Sequence, residues 1–76
     1  MLYKGYIVKS DSLDNFRIVF DDLFECVGLW QNDFINVHYY KNGDIFDTYT
    51  FISENINNNI YKAINYYEKE ISNLYL

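Results

Sequence analysis

An α+β fold is predicted for this chain: a small antiparallel sheet carrying two helices, in the order βαββα. Three observations predict it. Asn42-Gly43 stands between two aromatic, β-rich runs, residues 34–41 and 44–52. An amphipathic repeat runs through residues 54–74, and a second apolar periodicity runs through residues 12–27. A four- or five-stranded meander closed by the C-terminal helix, ββββα, is the alternative. Both arrangements are α+β, because strands and helix segregate along the chain.

Residues 2–9 read as the first strand, since Tyr3, Tyr6, Ile7 and Val8 favour extended backbone. Ser10-Asp11-Ser12 follows as a breaker cluster, and Gly5 suggests a bulge or a close backbone approach. On a helix over 12–27, Leu13, Phe16, Phe20, Leu23, Phe24 and Val27 share one side. Ser12 can cap its start and Gly28 its end. Read instead as strands, 16–20 and 23–29 form a hairpin across Asp21-Asp22, a poor two-residue turn. The helix is preferred.

Asn-Gly between β-rich runs signals a type I′ turn, in which both central residues need positive φ. Simple alternation from that turn places Ile35, Val37, Tyr39, Phe46, Thr48 and Thr50 on one face. The other face receives Phe34, Asn36, His38, Tyr40, Ile45, Asp47, Tyr49 and Phe51. Neither face is plainly polar, so each calls for a cover. Ile56, Ile60, Ala63, Ile64, Tyr67, Ile71 and Leu74 mark the apolar side of the C-terminal helix, capped by Ser53 or Asn55. Asn57-Asn58-Asn59 gives its first turn poor helix propensity.

Seventy-six residues make one domain near the lower limit for a single core. Aromatic residues form 21% of the chain, which supplies burial area and, through nine Tyr, half-wet contact surface. A net charge of −5 argues against direct binding of nucleic acid or anionic membrane and favours basic protein partners. Lone Cys26 allows no internal disulfide and fits a small core position in a reducing compartment. Its carboxylate neighbours Asp22 and Glu25 oppose thiolate formation. Trp30 is expected in the core. With neither a leader-like N-terminus nor an apolar span, the expected location is cytoplasmic, in a bacterial host cell. Ten Asn, nine Ile and nine Tyr suit an AT-rich genome, such as that of a low-GC bacterium or its phage.

His38 and Asp47 are expected opposite one another across the hairpin, a cross-strand polar pair without a nucleophile beside it. No cofactor, metal or enzymatic role is assigned. The sharper candidate is an acidic stripe on the first helix, formed by Asp14, Asp21, Asp22 and Glu25 around Ile18 as an apolar anchor. Arg17 would offset part of its charge. Tyr40 and Tyr49 on the hairpin complete the expected partner-binding set. In its small size, acidity and lack of catalytic motifs, and in those general properties only, the chain is similar to phage-encoded antagonists such as anti-CRISPR proteins. The expected function is therefore an inhibitor that occupies a basic surface of a bacterial nucleic-acid enzyme. Alternatives are an immunity protein or antitoxin, and a homo-oligomeric accessory protein joined through its aromatic hairpin face, so a homodimer is allowed.

Overall fold

The computed structural model describes residues 2–11 and 15–75. It is a six-stranded antiparallel meander in which every strand pairs with its sequence neighbours. The strands are β1 (Leu2–Tyr3), β2 (Tyr6–Asp11), β3 (Asn15–Val19), β4 (Phe24–Gln31), β5 (Phe34–Lys41) and β6 (Asp44–Ile52). A C-terminal helical segment follows: α1 (Ile56–Tyr66), a π-helical turn (Tyr67–Ile71) and α2 (Ser72–Tyr75). The two-helix βαββα arrangement is thereby overturned, and a four- or five-stranded meander also falls short of the six strands present.

Of the helix expected over 12–27, residues 12–14 with its cap Ser12 lie outside the described residues, and from residue 15 onward β3 and β4 stand in its place. Phe16, Ile18, Phe24, Cys26 and Gly28 alternate into the interior with the two-residue period of strands. A tight Asp-Asp turn is not needed, because residues 20–23 form a longer loop. Asp21 Oδ1 accepts the backbone N–H groups of Leu23 and Phe24, each at 2.8 Å. The first strand also divides. Lys4 and Gly5, with φ of 54° and 86°, turn β1 back onto β2, so Gly5 serves a turn rather than a bulge.

Asn42 and Gly43 adopt φ of 51° and 85°, as a type I′ turn requires. Lys41 pairs with Asp44 and Tyr40 with Ile45, after which the register slips and Tyr39 pairs with Asp47. Phe46 is the extra residue of a bulge. One inserted residue exchanges the two sides of the rest of the strand. Tyr49 and Phe51 therefore join Ile35, Val37 and Tyr39, while Thr48 and Thr50 turn outward, the reverse of the alternation expected from the turn.

The helix covers that inner side. Ile60, Ala63, Ile64, Tyr67 and Ile71 close the core over Val8, Phe16, Ile18, Cys26, Ile35, Val37 and Tyr39. The Tyr39 hydroxyl donates to the Ala63 carbonyl at 2.6 Å, so the ring can be buried without an orphaned oxygen. The Asn-rich first turn is anchored. Asn55 accepts from Asn58 N–H, and buried Asn59 accepts from Glu54 N–H while donating to Ser53 Oγ. Trp30 is half exposed at the sheet's margin, outside the core expected to hold it.

Gly28 pairs with Phe16 across β3 and β4, and a Cβ built on it meets the Phe16 ring at 2.2–2.7 Å. Gly28→Ala should therefore destabilise the fold by about 1–3 kcal/mol, the usual cost of overpacking. Urea unfolding measures this, and adding Phe16→Leu should return part of the loss by making room for the methyl group.

Candidate functional site, the uncovered sheet face

With the helical segment on one side, no other element among the described residues covers the opposite side of the sheet. The strand register arranges its side chains in rows. Ile7, Val19, Glu25, Tyr40 and Ile45 form one; Lys9, Arg17, Val27, His38 and Thr48 form the next. Leu29, Asn36 and Thr50 follow, then Gln31, Phe34 and Ile52. Open faces of antiparallel sheets are usually polar. Here Ile7 is 51% exposed, Phe34 47% and Ile52 64%. Val27 and Tyr40 are half-buried among these neighbours. Leu29 is 43% exposed and Ile45 52%, so exposed apolar side chains stand at both ends of the face, with Lys9, Arg17, His38, Asn36, Thr48 and Thr50 between them.

The charge on this face is not acidic. Lys9 and Arg17 stand directly opposite one another, a like-charge pairing that costs stability. Glu25 relieves Arg17 through an ion pair. Three acids lie at one end of the sheet, where Lys41 pairs with Asp44. There the 20–23 loop meets the 42–43 turn, joined by Asn42 N–H donating to the Leu23 carbonyl at 2.7 Å. Asp21, Asp22 and Asp44 rim this end. The helical segment also closes on it, with Phe20 stacked on Tyr67 at 3.7 Å and Tyr6 donating its hydroxyl to Glu68 at 3.1 Å. Burial, then the charges of Asp21 and Glu68, raise the Tyr67 hydroxyl pKa.

The expected partner-binding residues separate accordingly. Ile18 is fully buried and holds the core, so it cannot anchor a partner. Asp21 and Asp22 lie in the loop, with Asp21 also capping its own turn. Glu25 projects from the open face and is occupied by Arg17. Asp14 lies outside the described residues. No helical stripe joins the described ones, because from residue 15 to 31 the chain forms β3, a loop and β4. Tyr40 belongs to the open face, but Tyr49 is on the helix side, stacked on Tyr66 at 4.4 Å. Ile7, Leu29 and Ile52 are members of the face that the sequence reading did not select, although strand alternation in β2, β4 and β6 carried the signal.

His38 and Asp47 are not opposite. His38 Nδ1 lies 3.2 Å from Thr48 Oγ1, whereas Asp47 faces the helix and accepts the Tyr66 hydroxyl at 2.7 Å. Cys26 is buried, and desolvation raises its thiol pKa. Among the described residues, no group of three or more His, Cys, Asp or Glu side chains is placed to hold a metal ion. No helix among them is long and apolar enough to cross a membrane. Compared with known proteins, the chain matches no family model, no curated protein and no solved structure.

The hydrogen bond to Asp47, with burial second, pushes the Tyr66 hydroxyl from its ordinary 10.0 up to about 12. Burial, then Glu68, does the same to Tyr6. A raised tyrosine contributes stability that is complete below the unfolded pKa and is lost as pH rises through the folded one. Stability should therefore fall between pH 10.0 and about 12. Chemical unfolding across that range tests this, and Tyr66→Phe should flatten the fall.

Proposed function

We propose that this chain is a protein-binding module that acts by occupying a surface of a larger protein. The observation that supports the reading is the sheet face away from the helix, which leaves Ile7, Leu29, Phe34, Ile45 and Ile52 exposed among its polar side chains. The acidic end supplies orientation. Asp22 and Asp44 stand beside the face rather than on it, which suits a partner whose contact site is flanked by basic groups. Such a flank is what a nucleic-acid enzyme offers. A chain seated there works as a stoichiometric inhibitor, in the manner of phage-borne antagonists of bacterial defence enzymes. The net charge of −5 supports the same direction, since it repels the polyanion that the enzyme itself would bind.

Leu29→Gln with Tyr40→Ala tests the face, and Asp22→Lys with Asp44→Lys tests the rim. Both pairs avoid the core and the turn-capping Asp21. In quantitative pull-downs from a low-GC bacterial lysate, the wild-type chain should retain a nucleic-acid enzyme that added DNA or RNA displaces. The face variant should weaken capture about tenfold or more, as loss of a central apolar anchor does. The rim variant should slow association and reduce its salt dependence. Equal capture by wild type and both variants overturns the proposal.

A further inference from the structure

We infer that β6 is a pairing edge for a second copy of this chain, joined antiparallel through Thr48–Ile52 about a twofold axis at Thr50. This goes beyond the partner proposed above and does not rest on it, because it uses the rim of the sheet rather than its face.

Among the described residues, β6 is the longest strand, nine residues, and it is hydrogen-bonded on one side only, to β5. Two contacts show which groups point away from β5. Ser53 N–H reaches the Asp33 carbonyl at 2.8 Å, on the β5 side. Thr48 N–H is held at 2.8 Å by the side chain of its neighbour Asp47. Antiparallel strands alternate the direction of successive backbone groups. Thr48, Thr50 and Ile52 accordingly turn their N–H and C=O groups outward. An open edge of this kind is a template for another strand.

The occupant follows from the residue pattern. Thr48-Tyr49-Thr50-Phe51-Ile52 reads almost the same in both directions: β-branched, aromatic, Thr, aromatic, β-branched. A twofold axis at Thr50 sets Thr50 against its own copy, Thr48 against Ile52 and Tyr49 against Phe51. The β-branched side chains then continue the open face, and the aromatic ones continue the helix side. No charged side chain lies in the paired segment. Thr50 N–H and C=O groups bond reciprocally, and each Ile52 N–H meets the opposite Thr48 carbonyl. Thr48 N–H is already satisfied by Asp47, so the ladder ends where the bulge begins.

The opposite edge lacks these properties. β1 is only two residues long. Beyond it, the free rim of β2 is centred on Lys9, so self-pairing there would oppose lysine to lysine, a device that keeps edges apart.

Sedimentation velocity on the full chain over a range of concentrations tests the inference. The wild type should pass from monomer to dimer as concentration rises. Thr50→Lys and Thr50→Glu should each weaken the dimer by about fivefold or more, because like charges then meet across the axis. An equimolar mixture of the two should recover it. Amide hydrogen exchange on the unmodified chain supplies a readout without substitutions. Thr50 and Ile52 should gain protection with concentration, and Thr48 should not. A wild type that stays monomeric throughout overturns the inference. So does a dimer indifferent to both substitutions, which would place the interface elsewhere, or a mixture no tighter than either variant alone.

Discussion

A single inserted residue in β6 decides what this molecule buries and what it shows. The type I′ turn at Asn42-Gly43 fixes the start of the hairpin, and strict alternation from it would send Thr48 and Thr50 to the core. The bulge at Phe46 reverses that choice by placing Tyr49 and Phe51 beside Val37 and Ile35 under the helix. Two aromatic rings are worth far more as buried area than two threonines. The same shift brings Asp47 to the helix side, where Tyr66 donates to its carboxylate. Bulge, aromatic packing and helix docking are therefore one device. Phe46 itself packs edge-on against Phe24 and so contributes contact as well as spacing.

How much of this was legible depended on whether the signal was local. The Asn-Gly turn could be read because its backbone requirement is met by two adjacent residues. The C-terminal helix could be read because its apolar period is its own. Residues 12–27 were misread because Phe16, Phe20 and Phe24, spaced by four, share a side in a strand as readily as on a helix. What separates the two is pairing with β2 and β5, which lie elsewhere in the chain. Asp21-Asp22 looked unfit for a tight turn, but Asp21 instead closes a longer loop with its own carboxylate. The bulge was legible in principle: comparing Tyr49 and Phe51 with Thr48 and Thr50 shows which set belongs inside.

The candidate site failed in the sequence for the same reason. An acidic stripe needs a helix to align its members, and once β3 and β4 replace that helix, Ile18 and Glu25 point to opposite sides of the sheet. Asp21 and Asp22 move to a loop beside the 42–43 turn and Asp44, where turns from separate hairpins meet. The open face keeps the cations Lys9 and Arg17 and most of the outward apolar groups. Cations and exposed apolar groups thus share the open face, while Asp21, Asp22 and Asp44 stand at its end.

Face and edge also constrain one another. A face-to-face dimer would bring Lys9 and Arg17 of each copy between two sheets, with Glu25, already held by Arg17, as the neighbouring carboxylate in their rows. Desolvating those cations without matching acids is costly. Pairing through β6 avoids that cost, because it joins uncharged backbone and leaves both faces in water. The joined sheet then continues the Gln31, Phe34 and Ile52 row of one copy into the Thr48, His38 and Val27 row of the other, and a partner with two equivalent surfaces gains from engaging both. An edge that recruits a second copy is for this reason compatible with a face reserved for something else.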